Sequence, residues 1–223
     1  MRNVSVLVAI GVDSEGFRQV LGVHEGAKED KAGWSGFLRH LKKRGLKNIK
    51  LIISYACLGL VESIGDFFPT AKWQRCIVHF YRNVFTLVPK GKVKRVARML
   101  KAIHASEDKQ AAREKAEAVV KKLMSQKLVQ AAKIVHEGIA DTLAYYDFPY
   151  AHWRRVRTNN PLERILREVR RRTRVVGAFP DGNSALMLVA ARLRHIAGTR
   201  WGSRRYLNMK LLTELEREAE LAV

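Results

Sequence analysis

Every strand-like run in this chain falls before residue 79, and each is followed by a turn or by a helical pattern. "VSVLVAIGV" (4–12) and "FRQVLGV" (17–23) flank the turn-rich "DSEG", which predicts a hairpin over 4–23. "KEDKAGWSGFLRHLKKRG" places Trp34, Phe37, Leu38 and Leu41 on one helical face, with Gly45 as its stop signal. The β-branched run around Leu51-Ile52-Ile53 predicts a strand over 49–54, followed by a helix over 57–67 that Pro69 ends. A short strand near 73–78 and a helix near 79–87 complete a ββαβαβα order. That order predicts one mixed sheet with helices on its faces.

From Lys90 to about Tyr146 the strand signals vanish. Three Ala-, Lys- and Glu-rich stretches predict three helices, the second capped by Ser106 with Glu107 and Asp108 in its first turn. Beyond Pro149, two further helices are split by Gly177 to Gly182. No repeat or low-complexity linker interrupts the pattern.

Charge narrows the function classes. The 223 residues hold 42 Lys+Arg against 21 Asp+Glu, a net charge of +21. Such an excess favours a polyanionic partner, because each neutralised phosphate releases condensed counterions. No apolar stretch approaches the ~20 residues of a membrane-spanning helix, so no membrane partner is expected. Two cysteines make no disulfide framework, which fits a reducing cytoplasm and, with the charge, association with the nucleoid.

Three stretches carry a more specific signal: "VLVAIGVDSEGFRQVLGV", "LIISYACLGLVESIGDFFPTAKWQRCIVHFYRNVFTLVPKG" and "TNNPLERILREVRRRTRVVGAFPDGNSALMLVAARL". In order, spacing and wording they resemble bacterial Mutator-type insertion-sequence transposases, over nearly the whole chain. The resemblance implies an α/β, ribonuclease-H-like mixed sheet lacking its first strand, with an all-α insertion. Residues 1–89 would form the first part of the core, 90–148 the insertion, and 149–223 the helices that complete the core. It also implies an Asp-Asp-Glu triad holding two Mg²⁺ or Mn²⁺ ions, about 4 Å apart, that clamp the attacking and leaving oxygens of a phosphodiester.

Carried onto this chain, the last carboxylate falls on Glu163 and the second on Tyr55, a phenol where the family pattern has aspartate. The first belongs on a strand ahead of "VSVLVAIGV". The resemblance therefore implies an N-terminally truncated, degenerate member in which Glu163 is vestigial, a metal ligand only if the triad were restored. No ion is expected to bind firmly. Cys76 and His79, in a C-x-x-H spacing beside the second carboxylate position, are expected to support the site; as half a zinc site they lack a complementary pair. Glu163 also occupies a capping-box position behind Asn160 and Pro161. Asp13 sits in a hairpin turn, where aspartate is ordinary turn chemistry. Trp73 reads as core.

The arginines carry the binding expectation. Arg154, Arg155 and Arg157 precede the Glu163 helix, and Arg164, Arg167, Arg170, Arg171, Arg172 and Arg174 stud it opposite the apolar stripe of Leu162, Ile165, Leu166 and Val169. Between Arg164 and Arg174 Glu168 is the only acid, whereas a merely solvated face mixes signs. Backbone contact with double-stranded DNA, without base readout, is the expected role. Two functions lead. One is a transposase catalytic-domain fragment, inactive as written, acting by metal-assisted phosphodiester cleavage and strand transfer. The other is a non-catalytic DNA-binding protein that regulates an intact transposase through mixed oligomers, with homo-oligomers as a further possibility. An active nuclease using another carboxylate set is a third.

Overall fold

The computed structural model describes residues 5–26 and 30–221. In chain order its strands and α-helices are β1 (Ser5–Val12), β2 (Arg18–Gly26), α1 (Lys31–Lys43), β3 (Leu51–Ser54), α2 (Leu58–Phe67), β4 (Lys72–Arg75) and α3 (Ile77–Phe85). Helices alone follow: α4 (Val93–Ile103), α5 (Lys109–Ser125), α6 (Val129–Gly138), α7 (Trp153–Val156), α8 (Asn160–Val176), α9 (Gly182–Ala197), α10 (Arg200–Ser203) and α11 (Met209–Leu221). Short 3-10 turns fill Lys90–Lys92, Ala140–Thr142, Ala144–Asp147 and Tyr150–His152. The chain is thus mixed α/β with small sheets.

Instead of the single mixed sheet expected from the sequence, the described strands form two separate pairs. β1 and β2 are antiparallel; β3 and β4 are parallel. The chain divides into two compact units, one of residues 1–50, 57–71 and 160–223, the other of 51–56 and 72–159. Each unit owns one strand pair. A two-stranded sheet is marginal by itself, so in each unit the helices supply the burial.

In the first unit the hairpin is covered on both faces. Val6, Val8 and Ile10 of β1, with Val20 and Val23 of β2, pack against Ile165 and Val169 of α8 and Val189 and Leu193 of α9. Val20 and Val23 are an odd number of residues apart and would ordinarily face opposite ways. A bulge resolves this: Ala9 pairs with Gly22 but Ile10 with Val20, leaving Leu21 as the extra residue. On the other face the His24 ring stacks on Phe37 of α1 at 6.1 Å. A Cβ on Gly22 would lie 2.7 Å from the Leu41 side chain, so glycine permits that approach. Val4, the first residue of the expected hairpin, and Lys28 and Glu29, ahead of α1, lie outside the described residues.

α1 follows its sequence signals. Asp30 caps it by accepting from the Gly33 N–H at 2.9 Å. At its end Gly45 takes φ +95, while the Gly45 and Leu46 N–H groups donate to Lys42 and Leu41 carbonyls. This is the Schellman closure that the sequence announced.

In the second unit the strand-free stretch packs around Phe80, Val84, Val96, Leu100, Ile103, Leu123 and Leu143, all fully buried. Gln74 of β4 is fully buried yet satisfied: its Nε2 donates to the Arg75 and Thr142 carbonyls, and its Oε1 accepts the Tyr145 N–H, each at 2.8 Å. Two boundaries differ from expectation. β4 stops at Arg75 because Cys76 caps α3, which starts at Ile77 rather than near 79. α5 is capped by Asp108, whose carboxylate accepts the Ala111 N–H at 2.8 Å. Ser106 instead turns its hydroxyl back to the Ala102 carbonyl of α4.

Candidate nucleic-acid interface

The expected second-carboxylate position lies at the carboxyl end of β3. Ser54 pairs with Arg75 across the parallel ladder, and the Ser54 carbonyl accepts the Cys76 N–H at 2.7 Å. The Ser54 hydroxyl donates to the Tyr55 carbonyl and accepts the Trp73 indole N–H at 2.9 Å. Trp73 is half-buried rather than core. Tyr55 is half-buried too, with its ring 5.9 Å from the His79 imidazole. The strand end is thus an aromatic pair where the resemblance implies a carboxylate.

Cys76 is buried, and its Sγ accepts the Asn159 N–H at 3.2 Å. The Ile77 N–H donates to the Arg157 carbonyl one step earlier in the same segment. Cys76 therefore anchors the residues that lead into α8. Tyr55, Cys76 and His79 belong to one unit and Glu163 to the other. Glu163 lies half-buried in the first turn of α8. Among the described residues, no group of three or more His, Cys, Asp or Glu side chains is placed to hold a metal ion. Two hard cations need several carboxylate oxygens; a phenol beside an imidazole does not supply them, so the residues present do not fit the two-metal set.

Asp13 does turn work. Its carboxylate accepts the Glu15 and Phe17 N–H groups at 3.1 and 2.8 Å and the Gln19 side-chain amide at 2.8 Å. Slight burial opposes ionisation, but those bonds outweigh it and hold the carboxyl below the usual range. Asp66 forms an exposed ion pair with Lys31 at 3.4 Å.

The arginines of α8 are displayed as the sequence predicts. Arg164, Arg167, Arg170, Arg171, Arg172 and Arg174 are all exposed, while Ile165 and Val169 are buried. Arg167, Arg170, Arg171 and Arg174, at spacings of three, four and seven, line one open recess of about 360 Å³. By helical geometry Glu163 shares that face with Arg167, Arg170 and Arg174. Arg154 and Arg155 are exposed on α7. Arg157 is different: half-buried, it donates to the His104 carbonyl at 3.1 Å, so its guanidinium is engaged inside its own unit.

Two features lie outside those expectations. Glu168 is bound by Arg171 at 3.0 Å, by Arg172 at 3.4 Å and by Arg192 of α9 at 2.6 Å. The hydrogen bond from Arg171 leads the effects that hold its carboxyl far down, at about 2. The other is "RWGSRRY" (200–206), where arginines alternate with aromatics. That composition was a legible signal for a second basic surface.

A family model described as transposase, Mutator family, matches residues 1–201. The chain is 40% identical over 210 residues to the transposase for insertion sequence element IS1081 of Mycobacterium tuberculosis, covering 94% of this chain and 50% of the relative. It is 36% identical over 210 residues to the transposase for ISRM5 of Rhizobium meliloti, covering 94% and 52%. To the transposase for IS256 in transposon Tn4001 of Staphylococcus aureus it is 35% identical over 204 residues, covering 90% and 52%. The chain spans about half the length of these curated relatives.

Proposed function

The chain belongs to the Mutator family of transposases, and on that premise we propose that it engages the sugar-phosphate backbone of double-stranded DNA through the arginine face of α8. The observation that carries this reading is the recess lined by Arg167, Arg170, Arg171 and Arg174. Four arginine side chains line it from one helix face, in a chain of net charge +21. Guanidinium groups bind phosphate through two parallel hydrogen bonds, and nothing about the stripe selects one base over another.

The same reading takes the strand pairs and the strand-free stretch 90–148 as parts of a ribonuclease-H-like core with a helical insertion. The order of elements supports it. With Tyr55 at the second carboxylate position, this span acts by holding DNA rather than by cutting it.

The test is the salt dependence of duplex binding. Log affinity should fall linearly with log salt concentration, by ~0.9 per phosphate contacted. Replacing Arg167, Arg170, Arg171 and Arg174 together with alanine should weaken binding and flatten that slope by about 3 to 4. Unchanged affinity and slope in that variant would remove α8 as the contact.

A further inference from the structure

We infer that the segment 200–206, folded over the tip of the hairpin, is a second phosphate-binding surface for duplex DNA, separate from α8. The inference rests on the DNA-binding reading and adds to it a surface on other elements. The segment is built into place: the Tyr206 and Leu207 N–H groups donate to the Gly16 carbonyl at 2.7 and 3.1 Å. Gly16 has φ +92, and a Cβ there would collide with the Leu207 carbonyl, so this crossing requires glycine.

The crossing brings Arg18 of β2 against the aromatics of the segment. Its guanidinium carbon lies 4.8 Å from the Trp201 ring centroid and 4.9 Å from that of Tyr206. Arg205 in turn lies 5.6 Å from the Phe17 ring. Arg200, Arg204 and Arg205 are exposed. No salt bridge among the described residues involves any of these four arginines. The buried Arg18 Nε finds no acceptor there either. Of the two acids in the hairpin turn, Asp13 spends its carboxylate on its own turn and on Gln19, and Glu15 forms no salt bridge among the described residues.

Cations gathered without a counter-charge repel one another. Burial is the main cause that holds the Arg18 pKa below the usual arginine range; the Tyr206 phenol opposes it, and the positive charge of Arg204 adds a smaller push in the same direction as burial. A polyanion relieves that repulsion. The rings engage guanidinium groups rather than standing bare, so they hold the arginines in place and do not offer a platform for splayed bases. A duplex backbone fits this chemistry better than a single strand.

Three proteins decide the matter on one duplex probe across a salt series. They are the unaltered chain, the α8 quadruple alanine variant, and a triple variant, Arg200→Gln with Arg204→Gln and Arg205→Gln. The triple variant should flatten the log–log salt slope by about 2 to 3, at ~0.9 per lost contact. Its thermal unfolding should be unchanged, because the three side chains are exposed. The matching triple of Arg→Lys replacements should keep the slope, since the charges remain. If the glutamine triple binds with the full slope while the α8 variant loses slope, the second surface is wrong and the α8 reading stands. If the glutamine triple alone loses slope, the second surface stands and the α8 reading falls. An unaltered chain with no salt-dependent binding overturns both.

Discussion

The Asn159 N–H donates to the buried Sγ of Cys76 at 3.2 Å, across 83 positions of sequence. A thiol sulfur is a weak acceptor, but here it is the partner of a backbone donor in the segment entering α8. The cysteine of the C-x-x-H spacing thus holds a backbone group in place. Cys76→Ala should destabilise the chain by about 2 kcal/mol, combining a small cavity with a backbone donor left short of its acceptor. Urea unfolding would measure it. A zinc chelator should leave the unaltered chain's midpoint where it was.

His104 is the acid-sensitive group of the second unit. Its Nε2 lies 2.8 Å from the Thr142 hydroxyl, which itself donates to the Ile139 carbonyl, so Nε2 carries the proton and donates. Nδ1 lies 2.9 Å from the Tyr81 hydroxyl oxygen, and that hydroxyl also reaches the Leu100 carbonyl at 3.0 Å. Burial, aided by the charge of Arg157 and opposed by the Leu100 carbonyl, pushes the imidazole pKa down to about 4. Between pH 6.5 and 4 the unfolded chain takes up a proton that the folded chain refuses. Stability should therefore fall as pH drops through that window, by roughly 3 kcal/mol in all. His104→Gln should remove that component, read as the difference between the two proteins' unfolding free energies at pH 7 and pH 4.5.

Glu168 acts in a different window. Its carboxyl is held at about 2, so the Arg171, Arg172 and Arg192 contacts persist through the range where His104 titrates and are lost only as pH falls from 4.5 toward 2. At neutral pH Glu168 offsets part of the arginine field. Glu168→Gln should tighten duplex binding roughly threefold at low salt, the scale of one exposed charge. Weaker binding would mean that Glu168 orients the arginines more than it neutralises them.

Catalysis is the sharpest test at Tyr55. The chain is expected not to nick supercoiled plasmid in Mg²⁺ or Mn²⁺, because Tyr55 offers a phenol at the second carboxylate position and, among the described residues, no group of three or more His, Cys, Asp or Glu side chains is placed to hold such ions. Tyr55→Asp supplies one further carboxylate and should restore at most a trace, since loss of charge stabilisation at the leaving oxygen costs ~10²–10³ in rate. Metal-dependent nicking by the unaltered chain that disappears in Glu163→Gln would show Glu163 working with another carboxylate set.

Features that depend on neighbours within one or two turns were already written in the chain. The 3.6-residue spacing of Ile165 and Val169 set the buried line of α8 and left its arginines outside. The Asp30 and Gly45 signals closed α1, and Asp13 closed its turn, because each acts on backbone groups a few residues away. Boundaries already needed more. Ser106 and Asp108 are both good caps locally, and the choice fell to Asp108 because the Ser106 hydroxyl is taken by the end of α4. Tertiary structure alone decided the rest: the separation of the strands into two pairs, Arg192 reaching Glu168 from α9, Arg157 turning to the His104 carbonyl, and Arg18 lying against Trp201 and Tyr206. The arginine contacts among these join groups 24 or more positions apart. A guanidinium carries the same charge whether it faces solvent, a carboxylate, a carbonyl or a ring, and only the packing around it selects which.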